Sequence, residues 1–166
     1  MKIRLISVGK VHESYVKNGI EDFTQRINKY FKVEWVIVPT VKNAASLSEI
    51  DLKKAEATSI LSHIEKEDYL ILMDERGKLL SSPQLAQFIQ QRANESNKQL
   101  VFLIGGAFGV DASITNRAQF IWSFSPLVFP HMLARLILSE QLYRALLSAY
   151  HFARISHMLL SIDALQ

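Results

Sequence analysis

The sequence predicts an α/β fold built on a mainly parallel sheet with helices on both faces. Five short apolar runs have the character of β-strands, and each is followed by a segment with the wider apolar spacing of an amphipathic helix. This alternation is typical of βα units, in which helical crossovers join parallel strands. A chain of 166 residues, 49% hydrophobic and 21% charged, has the size and composition of one globular domain, so we expect a single domain over residues 1–166.

The elements follow in order along the chain. Strands are predicted at residues 2–8, 33–39, 68–73, 99–104 and 119–124, and helices at residues 12–31, 46–66, 82–96, 111–118 and 131–150. Ser82 is a predicted N-cap with Pro83 at the first helical position, and Asp111 is a predicted N-cap for the fourth helix. The polar segment from Thr40 to Glu49 is the longest predicted connection, and we expect it to cross an edge of the sheet.

Composition excludes several classes of site and location. The chain has no cysteine, which excludes disulfides, a thiol nucleophile and thiolate metal sites and fits a cytoplasmic protein. The first ten residues, MKIRLISVGK, are too briefly apolar for a signal peptide, and no run approaches the roughly 18 uncharged apolar residues of a membrane span. The net charge of +3 permits contact with nucleic acid but does not demonstrate it, because the basic residues are scattered.

A glycine turn, IGGAFGV at residues 104–110, separates the fourth strand from the fourth helix. A dinucleotide fold needs G-x-G-x-x-G here with an acid after the next strand, and a phosphate loop needs Gly-Lys-Ser/Thr; the turn has neither. Gly105 and Gly106 can adopt backbone angles closed to other residues and leave N–H and C=O groups uncovered for a flat ligand. A ligand site and a turn that needs glycine only for its geometry both remain open.

Two further strand ends are predicted to reach the same edge of the sheet. The third strand ends at Met73 and turns through Arg76 and Gly77, and the fifth leads into the apolar loop SFSPLVFP at residues 123–130. Apolar loops are normally buried or bound to something. The loop therefore predicts either a buried crossover, which we favour from this segment alone, or part of a ligand site.

The last helix is predicted to carry polar groups on an otherwise apolar surface. Its sequence, HMLARLILSEQLYRALL, is apolar on nearly every face, as expected where a sheet and a homodimer interface both cover a helix. Glu140 and Arg144 have the i, i+4 spacing of an ion pair. Arg135 lies one turn from His131 at the helix start, so both chemistry and internal pairing remain open for these groups.

The segments LIGGAFG, SFSPLVFPHMLARLILSEQLYRA and RGKLLSS together resemble the RlmH family of SPOUT methyltransferases, which methylate a pseudouridine of 23S ribosomal RNA. The resemblance extends from residue 2 to about Arg144. It implies a C-terminal trefoil knot at about residues 70–150, a homodimer, and 23S rRNA in the ribosome as partner. It also implies methylation at N3 of the pseudouridine with S-adenosylmethionine as methyl donor, and neither a metal nor a membrane.

The resemblance also implies site residues. Three loops would hold the cofactor, and the matching positions are Met73, Gly105, Phe124, Ser125, Pro126, Leu127, Val128 and Phe129. His131 has an intrinsic pKa suited to removing the imide proton, or else it only begins the helix. Arg135 would stabilise the developing anion or hold a phosphate. Tyr143 and Arg144 either line the site across the dimer or only pack.

The chain departs from the family at its C-terminal tail. Family members close with Pro-Tyr-His-Arg or Pro-Tyr-His-Lys, whereas Tyr150-His151 comes about four residues early here, without the proline, and the chain then continues. Either Tyr150 and His151 keep the role of the tail on a shortened connection, with His151 as a catalytic candidate, or residues 151–166 replace the usual ending. We favour replacement or displacement, because the tail is apolar enough to continue the helix. The main prediction is a pseudouridine methyltransferase, and the alternative is a noncatalytic ribosome-binding protein.

Overall fold

The computed structural model describes residues 1–95 and 98–163, with side chains described as far as Tyr150. Its strands are β1 (Lys2–Val8), β2 (Lys32–Val38), β3 (Tyr69–Leu79), β4 (Gln99–Ile104) and β5 (Phe120–Ser123). Its α-helices are α1 (Ser14–Asn28), α2 (Glu49–Leu61), α3 (Ser82–Asn94), α4 (Ala112–Arg117) and α5 (His131–Asp163). A short 3-10 helix, Ala44–Ser46, interrupts the polar connection before α2.

The strands form one parallel sheet in the order β2-β1-β4-β3-β5. In the centre, Ile6 of β1 pairs with Val36 on one side and Leu103 on the other. Because all strands run the same way, their carboxyl ends meet at one edge. The predicted parallel α/β class, with five strands and intervening helices, is confirmed.

Two cores sandwich the sheet because side chains alternate between the faces of a strand. All of β4 is buried; Leu100, Phe102 and Ile104 enter one core with residues of α1, α3 and α5. Val101 and Leu103 enter the other core with residues of α2 and α4. The helices therefore cover both faces, three on one and two on the other.

The third strand is longer than predicted. It pairs with β5 as far as Met73, shifts register, and pairs again at Lys78 and Leu79. Met73 and Lys78 both pair with Trp122, and we call the four intervening residues, 74–77, the bulge of β3. Gly77 ends it, and a Cβ on this glycine would lie 2.8 Å from backbone atoms of Ile121 and Trp122. The predicted end at Met73 is wrong because a pattern of apolar residues does not show that a strand resumes after polar ones.

Helix starts follow the sequence signals with one correction. Asp111 caps α4 as predicted, accepting a hydrogen bond from the Ser113 N–H at 2.8 Å. The cap of α3 is Ser81 rather than Ser82: its hydroxyl accepts from the Gln84 N–H, and the Gln84 side chain accepts from the Ser81 N–H at 2.8 Å. This reciprocal capping box favours Ser81 as the cap.

Candidate functional site

The main cavity lies at the carboxyl edge of β3, β4 and β5. Its volume is about 520 Å³, within the range of small-molecule sites, and ligands of open parallel sheets bind at this edge. Four segments and one residue of α2 form its walls. They are residues 72–76, residues 104–110, residues 122–125 with 127–129, the α5 residues His131 and Ala134, and Glu49.

The glycine turn owes its shape to its glycines. The Gly109 N–H donates to the Gly106 carbonyl at 3.0 Å, and Gly109 has a φ of +82°, a conformation that favours glycine. A Cβ on Gly105 would lie 2.6 Å from a methyl group of Val110. The turn therefore needs glycine for its geometry, and it also forms a wall of the cavity; the two interpretations of the sequence are not exclusive.

The bulge of β3 forms a second wall. Arg76 donates from Nε and Nη2 to the two carboxylate oxygens of Asp74, at 2.8 and 2.7 Å. These hydrogen bonds hold the pKa of Asp74 below its usual value. The walls also carry the carboxylates of Glu49 and Glu75, so carboxylates outnumber the one guanidinium among the described lining residues. This balance suits a cationic ligand better than a phosphate.

The apolar loop after β5 forms a third wall. Ser123 Oγ donates to the Ser125 carbonyl at 2.8 Å, and Ser125 Oγ accepts from the Leu127 N–H at 3.0 Å, so two hydroxyl groups fix the loop backbone. The side chains of Leu127 and Val128 are 69% and 78% exposed. The favoured interpretation of this loop as a buried crossover is therefore wrong for its centre.

Most of the residues predicted to hold a cofactor line this one cavity. They are Met73, Gly105, Phe124, Ser125, Leu127, Val128 and Phe129. Pro126, the eighth, is not among the described lining residues. The topology thus brings together three segments that lie far apart in the chain, although their roles toward a ligand stay a prediction.

Two polar atoms of buried groups at the cavity have no hydrogen-bond partner among the described residues: Trp122 Nε1 and His131 Nδ1. Buried polar atoms are normally satisfied, and these two are exceptions that solvent does not reach in this structure. Burial, and then the charge of Arg135, lowers the pKa of His131 below its usual value. His131 is therefore neutral near pH 7, as a proton acceptor must be.

Arg135 does not reach the cavity. It is 1% exposed and donates from Nε to Ser7 Oγ at 2.9 Å, from Nη2 to the Val8 carbonyl at 3.2 Å, and from Nη1 to the Lys10 carbonyl at 2.8 Å. Its guanidinium is thus hydrogen-bonded to the end of β1 and to the loop that follows. In this structure Arg135 lies away from the described cavity walls, because a spacing of one turn does not fix the direction of a long side chain, and its predicted contact with an anion or phosphate stays a prediction.

The other polar residues of α5 also lie outside the described cavity walls. Arg144 pairs with Glu140, as their spacing predicts. Tyr143 packs against the ring of Phe23 at 5.8 Å and lies beneath Arg26. Within one chain these groups pack and pair with each other. The backbone of α5 continues to Asp163, in line with a replaced tail, while the side chain of His151 lies outside the described residues.

Sequence reasoning missed several lining residues. Trp122, Glu49 and Asp74 were not singled out, and Gly106 was noticed only for its backbone freedom. Asp74 directly follows Met73, the predicted end of the third strand, and this position could have identified Asp74 from the sequence. Glu49 is brought to the site by α2, and no local pattern predicts that approach.

In the part of the chain that the structure describes, no group of three or more His, Cys, Asp or Glu side chains is arranged to hold a metal ion. Over the same residues, no helix combines the length and hydrophobicity needed to cross a bilayer.

Comparisons with known proteins agree with the resemblance. Residues 1–151 match the family model described as Predicted SPOUT methyltransferase. Two relatives, each named Ribosomal RNA large subunit methyltransferase H, are 40% identical to this chain. The match to the relative from Alkaliphilus oremlandii covers 88% of this chain and 94% of that protein. The match to the relative from Flavobacterium johnsoniae covers 87% of this chain and 92% of that protein. The crystal structure of a probable methyltransferase from Bordetella pertussis Tohama I shares the fold, with a TM-score of 0.56 and 11% identity over 87% of this chain and 96% of that one.

Proposed function

The chain belongs to the RlmH family of SPOUT methyltransferases, and on that premise we propose that it transfers a methyl group from S-adenosylmethionine to N3 of a pseudouridine in 23S ribosomal RNA. The observation that carries the proposal is the convergence of three predicted strand-end segments on one cavity at the carboxyl edge of the sheet. Relatives named Ribosomal RNA large subunit methyltransferase H match most of the chain, which favours an enzyme over a noncatalytic ribosome-binding protein.

The cavity fits the proposed methyl donor in size and chemistry. Its volume of about 520 Å³ accommodates an adenosine with a methionine chain. Gly105 and Gly106 line the cavity without side chains, which lets a flat ring approach the backbone, and Trp122 lines it with an indole whose N–H lacks a partner among the described residues. Glu75 supplies negative charge, whereas the carboxylate of Glu49 is paired with Lys53. When bound, S-adenosylmethionine carries an electrophilic methyl group on a positively charged sulfur.

The residues of the chain then have two tasks, orienting the reactants and handling a proton. Orientation supplies much of the rate of a bimolecular displacement, and the two serine hydroxyls that fix residues 123–127 give the site a preformed wall. The imide proton on N3 of the base has to leave before or during transfer. His131 is the candidate base, because the residue lines the cavity and burial lowers the pKa of its imidazole, which leaves the ring neutral near pH 7.

We assign the other expected properties to the same proposal. A homodimer is supported by exposed apolar side chains near the cavity mouth, Leu127, Val128 and Leu133, which a second copy would cover. The trefoil knot at about residues 70–150, the single domain over residues 1–166 and the atypical tail at residues 151–166 stay predictions. The substrate places the activity in the cytoplasm, on the large ribosomal subunit.

Methyl incorporation into large ribosomal subunits that lack this modification tests the proposal. We expect transfer from labelled S-adenosylmethionine to one nucleotide, with mass spectrometry of the digested RNA locating the methyl group on a pseudouridine. The His131→Asn variant is expected to bind the methyl donor and to transfer it at least about a hundredfold more slowly. A folded wild-type protein that binds the donor and the ribosome but transfers no methyl group would contradict the catalytic proposal.

A further inference from the structure

Glu56, on α2, is a buried carboxyl group without a described partner. Its residue is 7% exposed, yet no hydrogen bond or ion pair to it occurs among the described residues. Lys53, one turn earlier, pairs instead with Glu49 at 2.9 Å. A buried charged group normally has a partner, since burial without one is costly, and burial alone raises the pKa of Glu56 above its usual value.

The carboxyl group of Glu56 lies against Gly106. A Cβ built on this glycine would be 3.0 Å from Cδ and Oε1 of Glu56 and nearer still to Oε2. Gly106 is therefore glycine for a specific reason: the carboxyl group takes up the space of its missing side chain. The same Gly106 lines the main cavity and bonds to Gly109 across the turn.

The helix that carries Glu56 also borders the cavity. Glu49 lines it and lies seven residues before Glu56, which is about two helical turns, so both side chains project from the same side of α2. The carboxyl group thus links α2 to the glycine turn at a point where the turn forms the cavity wall. A side chain that touches the wall from behind can fix the position of the wall.

We propose that Glu56 is a positioning residue for the methyl-donor cavity, whose carboxyl group packs on Gly106 and holds the glycine turn where it admits the cofactor. This inference rests on the proposed function, because it takes S-adenosylmethionine as the ligand. Glu56 acts through Gly106 and has no contact with the reacting atoms. Glu56 thus adds a residue of α2 to a site that sequence analysis predicted only from strand ends and the start of the last helix.

Calorimetric titration with S-adenosylmethionine tests this on four full-length single variants, one double variant and the wild-type protein. Glu56→Ala removes the packing group, and the Kd for S-adenosylmethionine is expected to rise about tenfold, whereas Glu56→Gln keeps the shape of the side chain and its Kd stays within about threefold of wild type. Gly106→Ala displaces the carboxyl end of the flexible Glu56 side chain from the turn, so its Kd is expected to rise about as far as that of Glu56→Ala. Glu67→Gln, at an exposed glutamate before β3, is the matched control and is expected to bind as wild type does.

A double variant separates positioning from a merely structural role. Gly106→Ala with Glu56→Ala is expected to bind S-adenosylmethionine within about threefold of either single variant, because both changes remove the same contact, as measured on protein that circular dichroism shows to be folded. Unchanged affinity in Glu56→Ala, or a double variant in which the two losses multiply, would overturn the inference. If Gly106→Ala fails to fold, the inference is tested by comparing the affinities of Glu56→Ala and Glu56→Gln for S-adenosylmethionine; equal affinities would overturn it. A wild-type protein that does not bind the methyl donor would refute the proposed function instead.

Discussion

Replacing Arg135 by methionine tests whether this buried cation stabilises the fold or takes part in chemistry. Methionine keeps most of the length of the side chain and removes all its N–H donors. Three acceptors then lose their donor: Ser7 Oγ, the Val8 carbonyl and the Lys10 carbonyl. Ser7 and Val8 are 0% and 4% exposed, so water cannot replace the guanidinium there, whereas Lys10 is exposed and can bond to solvent.

The expected loss of stability follows from those two buried acceptors. A buried acceptor left without a donor costs about 1–3 kcal/mol, and part of that sum is offset because a desolvated cation is no longer buried. We therefore expect the free energy of unfolding to fall by about 3 kcal/mol in Arg135→Met. Transfer activity per folded molecule should change little at a temperature where the variant stays folded.

Urea unfolding at one fixed protein concentration measures the change, because the stability of the proposed dimer would depend on concentration. Arg144→Met on the same helix is the matched control. Its guanidinium is 58% exposed and pairs with Glu140 at the surface, so its loss should cost less than about 1 kcal/mol. A loss below about 1 kcal/mol in Arg135→Met, or full stability with activity abolished, would refute the structural role of Arg135.

Three further predictions follow from particular contacts. Because burial and Arg135 lower the pKa of His131 from 6.5, the acid-side midpoint of the pH profile of kcat/KM should lie below pH 6.5. A midpoint above 6.5 would exclude His131 as the base. In Gly77→Ala the new Cβ atom would lie 2.8 Å from the β5 backbone, so the free energy of unfolding should fall by about 2–3 kcal/mol. In the control Gly19→Ala the new Cβ atom contacts only the flexible end of Leu136, so thermal melting should show almost no change. Equal losses in the two variants would contradict this. Trp122→Phe removes an N–H that has no described partner. Calorimetry should show weaker binding of S-adenosylmethionine, and thermal melting should show no loss of stability. Unchanged affinity would mean that the Trp122 N–H does not contribute to binding.

The parallel sheet and its helices could be predicted from the sequence because each element carries its own periodicity. The β4 run QLVFLI is apolar after Gln99, and both its faces are buried. By contrast, the bulge of β3 depends on the close approach of Gly77 to the β5 backbone, a contact between residues more than forty positions apart. No local pattern contains that information.

The cavity could be predicted in outline, and the orientations of side chains within it could not. Strand ends follow from periodicity, and parallel pairing brings them to one edge, so Met73 and Gly105 were within reach of sequence reasoning. Arg135 was not, because a long side chain can turn toward either of two neighbouring elements and only the packing shows which. Glu56 reaches the site through α2, whose approach to the glycine turn is set by tertiary packing.

The order of the strands has a consequence for how the chain is made. β1 lies between β2 and β4, so Ser7 has no partner on one side until Ile104, almost a hundred residues later, has been synthesised. The buried Arg135, which bonds to that same Ser7, arrives later still, with the last helix. Pairing over such distances is slow, and an open strand edge can associate with other chains. A nascent chain of this protein therefore exposes β1 through most of its own translation, and folding is completed only when its final helix emerges.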